Sequence, residues 1–304
     1  MTYRELLTQG ENLLRLNGIS DYKTDAFLLL ENVFSIRRTD FLLNPFTLID
    51  NTEKCEEYIE KINLRGKHIP LQHITHEQEF MGIKFYVDEN VLIPRQDTEI
   101  LVETAIKMIE KLDGKSENSR EASEALKKSG RRLKILDMCT GSGCIAASIA
   151  KLCENTAVTA VDLSKKALDI ADKNAKANDV LINFLKSDLF TSINDEKFDI
   201  IVSNPPYIKT KVIDELEEEV KFHEPLMALD GSEDGLSFYR GITREAPKYL
   251  NDGGYLIYEI GFDQGLEVKA LMENAGFDEI EIIKDLAGLD RVVKGRKTGG
   301  NIDV

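Results

Sequence analysis

The chain has 304 residues, enough for one large domain or a large one beside a small one. Its 42% hydrophobic and 31% charged residues read as a soluble globular protein. The 39 basic against 54 acidic residues, net charge −15, argue against a surface built for nucleic-acid phosphates. No apolar run approaches the ~20 residues of a membrane span, and the polar N-terminus shows neither a signal core nor a transit pattern, so a cytoplasmic location is expected. Cys55, Cys139, Cys144 and Cys153 form no C-x-x-C pair and are expected as reduced thiols.

Residues 1–66 read as a small helical bundle. One helix is predicted over Tyr3–Leu16, and a second follows Asp21 as a candidate cap, with Phe27, Leu28, Leu30, Val33 and Phe34 buried. A third, capped by Asp50, Asn51 or Thr52, runs to about Arg65. Residues 67–95 read as a connector in which Phe80 to Val87 form a hairpin or a pair of short strands. His68, His73 and His76 lie in it at spacings that match no zinc pattern, and no metal is expected. Residues 113–132 are polar and read as a surface excursion.

Residues 96–304 form the remaining domain, and from Leu133 strands and helices alternate. Strands are predicted at Leu133–Met138, Ala157–Val161, Leu181–Leu185, Phe198–Val202, Gly254–Ile260, Glu279–Ile283 and Arg291–Lys294. Alternation implies an α/β fold with a mostly parallel sheet wound on both faces. Only Asp285 to Asp290 separates the last two strands, too little for a helical crossover, so the last strand is predicted to be antiparallel. A sheet of this kind resembles the class I, Rossmann-like methyltransferase fold.

The first of these strands runs into Cys139-Thr140-Gly141-Ser142-Gly143. Glycines let backbone approach a ligand, and the following helix points free N–H groups at it. No Lys follows the last glycine, so this is no phosphate loop, and the dinucleotide pattern is absent too. Asp162 at the next strand end suits the two hydroxyls of a ribose, or it caps a helix together with Ser164. Asp188 after the third strand suits an adenine amino group, with Leu189 or Phe190 against the ring. Together these make a nucleoside site that demands no phosphate. S-adenosyl-L-methionine fits it, with Asp137 placed to help hold the ammonium.

The strand Phe198–Val202 ends in Ser203-Asn204-Pro205-Pro206-Tyr207. Two prolines cannot continue a sheet ladder, so the chain leaves it stiff and extended where open α/β sheets bind ligands. With a methyl donor beside it, the Asn204 side-chain oxygen and the Pro205 carbonyl can accept both N–H bonds of a planar NH₂ and aim its nitrogen at the methyl group. Tyr207 can lie against the flat target and bear on developing positive charge.

The stretches PLQHI (70–74), EFMGIKFYV (79–87), VLIPRQDTEILVE (91–103), LDMCTGSGCIA (136–146), AVDLS (160–164), SNPPYI (203–208), EPLMALDGSEDGLSFYR (224–240), YEIG (258–261) and DLAGLDRVV (285–293) are similar to the PrmC/HemK family of protein-glutamine N5-methyltransferases. The resemblance implies methyl transfer to the Gln of the Gly-Gly-Gln loop in peptide chain release factors. It implies a cofactor set of Cys139, Thr140, Gly141, Ser142, Gly143, Asp162, Asp188, Leu189 and Asn204. Asn204, Pro205, Pro206 and Tyr207 would hold the substrate glutamine, with Asn204, Pro205 and Tyr207 catalytic. The helical bundle would help grip the release factor, and a monomer without direct nucleic-acid or membrane binding is expected. Cys139 stands where many members have Gly, so negative φ is expected there. The acidic run Asp214–Glu219 reads either as a solvated helix face or as a device that steers basic release-factor surface to the site. The competing readings are an amino-methyltransferase acting on a nucleic acid base and a non-enzymatic cofactor-binding scaffold.

Overall fold

The computed structural model describes residues 1–114 and 131–299, so most of the excursion expected at 113–132 lies outside the described residues. The chain divides into two compact units: Met1–Glu77 with Leu216–His223, and Gln78–Glu215 with the chain from Glu224 onward.

The first unit is helical, with Tyr3–Leu16, Tyr22–Phe34, Arg38–Leu43, Thr52–Arg65, Leu71–Thr75 and the later Glu218–His223. Thr2 and Glu5 form a reciprocal capping box at its start, satisfying two otherwise orphaned amides. Leu6, Leu14, Leu29, Leu30, Tyr58 and Ile62 make its core. Asn51 supplies the third expected cap, accepting from Lys54 N at 3.0 Å. Asp21 precedes its helix, but its side chain makes no cap bond. Leu28, expected inside, is exposed, because it faces away from the stripe set by Ala26, Leu29, Leu30 and Val33. The helices Arg38–Leu43 and Leu71–Thr75 are too short for a periodic signal and escape sequence reasoning. Arg65, 6% exposed, bonds Asp25 at 2.7 Å and Glu219 at 2.5 Å, which anchors residues 216–223 in this unit. Glu219 therefore belongs to a packed ion-pair cluster and not to a solvated face.

The second unit opens with the expected hairpin, β1 (Gln78–Phe80) against β2 (Ile83–Phe85), turned by Met81 and Gly82, both at positive φ. Then β3 (Leu133–Met138), β4 (Thr156–Asp162), β5 (Ile182–Lys186), β6 (Phe198–Ser203), β7 (Leu250–Glu259), β8 (Phe277–Lys284) and β9 (Asp290–Lys297) form one sheet in the order β5-β4-β3-β6-β7-β9-β8. Pairing is parallel from β5 through β7, while β9 lies antiparallel between β7 and β8, as the short connection before it requires. β6 is buried along its whole length, as expected of a near-continuous apolar strand covered on both faces. The strand order reverses at β3, so a crevice opens between the carboxyl ends of β3 and β6.

Candidate active site

At that crevice Met138 pairs with Ser203, the last residues of their strands, and Ser203 Oγ donates to the Met138 carbonyl at 2.7 Å. The glycine loop and the Asn-Pro-Pro-Tyr loop therefore leave the sheet side by side. The glycine loop is tied underneath by Asp137, fully buried, whose Oδ2 accepts from Thr140 Oγ1 at 2.6 Å and Ala146 N at 3.2 Å. Burial pushes the Asp137 carboxyl up to about 7. Its Oδ1 is buried and unpartnered. Asp137 lies beneath the cavity and not on its lining.

Cys139 adopts φ +63°, contrary to the negative φ expected, because Thr140 N must turn to reach the Val161 carbonyl at 2.9 Å. A non-glycine residue held there stores strain of the kind that a surrounding hydrogen-bond frame sustains at functional sites. Gly141, at φ +55°, has nothing within 4 Å of where a Cβ would stand, so its backbone faces open space. Gly143 differs: a Cβ there would sit 2.8 Å from the Ala171 Cβ, so this glycine serves close packing against the helix Lys165–Ala177.

Asp162 braces the start of the next helix together with Ser164, one of its two expected parts. Its Oδ2 accepts from Gly141 N at 2.9 Å and its Oδ1 from Ser164 N at 2.8 Å, while Ser164 caps the next helix. Each oxygen keeps a lone pair, and Asp162 lines the cavity. Burial raises its pKa against these bonds. Asp188 is exposed and Leu189 half-buried, and neither lines the cavity. Phe190 is unavailable to a ligand, being buried and stacked on Tyr249 at 4.5 Å between centroids.

Asn204 and Pro206 line the same cavity as Cys139, Thr140, Gly141, Ser142 and Asp162; Pro205 and Tyr207 do not. Burial raises the Tyr207 hydroxyl pKa. The backbone after Tyr207 is clamped by the stretch 229–235. Ile208 N donates to the Leu229 carbonyl at 3.0 Å, and Gly231 N donates back to the Ile208 carbonyl at 2.8 Å. A Cβ on Gly231 would lie 2.7 Å from the Tyr207 Cα, so only glycine lets the two segments meet.

The outer wall is the segment 90–98. Val91 and Ile93 are buried, and Val91, Leu92, Pro94, Arg95 and Thr98 line the cavity. Glu224 fixes this wall, accepting from Arg95 Nη2 at 2.8 Å. Asn174 ties Tyr86, just before the wall, to the glycine loop through a bond from its Nδ2 to the Ser142 carbonyl at 2.9 Å. Glu259, at the end of β7, is buried with its Oε2 unpartnered, and burial pushes its carboxyl up to about 7. Sequence reasoning missed Asn174, Glu224, Gln264 and Glu259. For Glu259 a signal existed: an acid closing the apolar run YLIY.

The cavity encloses about 860 Å³, its open mouth included. Its donor set offers a carboxylate at the ribose position, a glycine backbone and an orphaned carboxyl oxygen beneath, with Arg95 the sole cation among the described lining residues. That set suits a nucleoside bearing an amino-acid tail better than a phosphate ester.

A family model described as PrmC N-terminal domain matches residues 5–75, and one described as Methyltransferase small domain matches residues 118–220. The Release factor glutamine methyltransferase of Clostridium botulinum is 40% identical over 301 residues, spanning 98% of this chain and 100% of that one. Its counterpart of the same name in Geobacter sulfurreducens is 36% identical over 295 residues, spanning 97% and 96%. Among solved structures, the hMettl16 catalytic domain in complex with a 3′UTR hairpin aligns at a TM-score of 0.53 and 14% identity over 84% of this chain and 85% of that one, a likeness of fold alone.

Proposed function

Because the chain belongs to the family of release factor glutamine methyltransferases, we propose that its two adjoining loops divide the work, one holding S-adenosylmethionine and the other presenting a release-factor glutamine to it. The protein is an S-adenosylmethionine-dependent methyltransferase acting on release factor glutamine. The cofactor supplies an electrophilic methyl group on a sulfonium. Cys139, Thr140, Gly141, Ser142 and Asp162 hold it, Gly143 sets the loop, and Asp162 takes the ribose hydroxyls. Asp188 and Leu189 flank its adenine end, a placement supported by Ser187 N, which donates to the Asp162 carbonyl at 3.0 Å and so brings the next strand end to the same edge.

Asn204 Oδ1 and the Pro205 carbonyl accept the two N–H bonds of the glutamine side chain. An amide nitrogen is a poor nucleophile because its lone pair is delocalised, so these fixed acceptors both aim it and offset the positive charge it acquires. Tyr207 and Pro206 bound the substrate slot. The acceptor is the N5 nitrogen of a Gly-Gly-Gln loop, and the unit Met1–Glu77 recognises the rest of the release factor. The chain works as a monomer in the cytoplasm without binding nucleic acid directly; among the described residues no helix is long and apolar enough to cross a membrane. A nucleic acid base could meet the same acceptors, but the net charge of −15 and the full-length relatives favour the protein substrate.

The observation that carries this reading is the Met138–Ser203 pairing, with Asn204 and Asp162 on one cavity. Calorimetry with the cofactor, run beside a transfer assay on a release factor, tests it. Asp162→Ala should weaken cofactor affinity at least about tenfold, the loss of a charge-assisted bond pair. Asn204→Ala should bind cofactor normally and lose transfer; transfer at the wild-type rate would contradict the assignment.

A further inference from the structure

Arg95 is the only cation among the described residues that line the cavity, and the mechanism above gives it no task. It opens the short turn Gln96–Thr98. Thr98 N donates to the Arg95 carbonyl at 3.1 Å, and Thr98 Oγ1 accepts from Asn204 Nδ2 at 3.4 Å. The turn that carries Arg95 therefore abuts the Asn-Pro-Pro-Tyr loop. Glu224 holds the guanidinium: its side chain is 1% exposed, and its Oε1 accepts from Arg95 Nη2 at 2.8 Å and from Ile93 N at 3.4 Å. Its Oε2 has no partner among the described residues, so the pairing is one-pronged.

A guanidinium has five N–H groups. One of them is spent on Glu224, and the others meet no acceptor among the described residues. A pair that only braced the wall would satisfy its donors within the protein. Here a buried carboxylate keeps a half-exposed guanidinium at the cavity with most of its donors open.

Charge decides what those donors are for. The glutamine side chain is neutral, and its nitrogen gains positive charge during transfer, so a bare cation beside it would raise the barrier. The cofactor does carry an anion, the α-carboxylate of its amino-acid tail. Its sulfonium and ammonium have no use for a cation, and Asp137 and Asp162 are acids that cannot hold a carboxylate. We propose that Arg95 binds the α-carboxylate of S-adenosylmethionine, with Glu224 as the positioning residue that keeps the guanidinium turned to it. This rests on the cofactor assignment above. The planar fork of an arginine matches a carboxylate through two parallel N–H···O bonds, a geometry that lysine does not reproduce. With Glu224 on one side and the tail on the other, Arg95 presents no net positive charge to the reacting nitrogen.

The test is calorimetry on the full chain with two nucleosides, S-adenosylmethionine and its decarboxylated form, which keeps the sulfonium and the amine. The wild type should bind the first at least about tenfold more tightly. Arg95→Gln should lose at least about tenfold on S-adenosylmethionine and stay within about twofold on the decarboxylated form, which erases the preference. Glu224→Gln should show the same selective loss at a few-fold, because the guanidinium is present but no longer held by a charge. A general loosening of the wall would weaken both nucleosides alike. Equal losses on the two ligands, or a wild type without the preference, overturn the proposal. So does an Arg95→Gln that binds S-adenosylmethionine normally and raises only the KM for release factor, which would give the guanidinium to the protein substrate. If Arg95→Gln fails to fold, Arg95→Lys decides: it should lose part of the preference, and an undiminished preference contradicts the fork. A wild type that binds neither nucleoside would strike the cofactor assignment instead.

Discussion

The backbone carbonyl of Tyr207 accepts a hydrogen bond from Nε2 of Gln264 at 3.1 Å, and the same amide donates to the Gly235 carbonyl at 3.2 Å while its Oε1 accepts from Gly261 N at 3.0 Å. One buried side chain thus joins three segments behind the Asn-Pro-Pro-Tyr loop. Gln264→Ala would leave two carbonyls and an amide without partners, a loss of about 2–3 kcal/mol. We expect kcat to fall at least about tenfold with cofactor affinity nearly unchanged, since the loop loosens while the glycine loop stays in place. Gly235, at φ +76° and packed against the Tyr207 carbonyl, should tolerate alanine still less. Normal kcat in Gln264→Ala would show that the loop holds its shape without this bracket.

Cys139 sits at φ +63° in the glycine loop. Glycine removes a strain of about 1–2 kcal/mol but adds unfolded-state entropy of about 0.5–1 kcal/mol, so Cys139→Gly should be close to neutral in stability and active. Cys139→Val puts a β-branched residue at positive φ and should lower cofactor affinity at least several-fold. Equal affinities for the two variants by calorimetry would mean that the loop backbone does not shape the site.

Asp137 is fully buried with its carboxyl raised from 3.8 to about 7. The folded chain keeps a proton that the unfolded chain has released above pH ~4, so the stability linked to it is present at low pH and lost as pH rises through about 7. The whole effect is on the order of 4 kcal/mol. Asp137→Asn cannot ionise, so its melting temperature minus that of the wild type should climb by several degrees from about pH 5 to pH 8 in the absence of cofactor. A constant difference would contradict an uncharged Asp137.

The acidic run at 214–219 separates into two roles. Arg65 is buried between Asp25 and Glu219, and Arg65→Ala should cost the helical unit roughly 3–5 kcal/mol by stranding Asp25. Glu217 and Glu218 are exposed, and Glu217→Gln with Glu218→Gln should leave stability within about 0.5 kcal/mol. The double variant should slow association with release factor a few-fold at low salt if these charges steer it. An unchanged association rate by stopped flow would end the steering role.

Much of this was legible in the sequence because it rests on local pattern. Apolar strands bounded by turns gave seven strands within a few residues, and the six residues between Lys284 and Arg291 gave the antiparallel β9. The two loops were placed correctly at one sheet edge, because strand ends in an alternating α/β chain share that edge. The supports were not legible. Asn174 stands in a polar helix beside Lys173, Lys176 and Asn178, and nothing local marks it as the residue that turns inward to Ser142. Gln264 takes its meaning from Tyr207, 57 residues away. Cys139 misled because residue type disfavours a backbone angle that the frame around Thr140 imposes.

In the proposed reaction Asn204 presents a release-factor glutamine for methylation. Mass spectrometry of a release factor incubated with the protein and isotopically labelled S-adenosylmethionine checks this. We expect one labelled methyl group on the side-chain nitrogen of the Gly-Gly-Gln glutamine, and none when Asn204→Ala replaces the wild type. A methyl group on another residue or only on nucleic acid, or full labelling by Asn204→Ala, would contradict it.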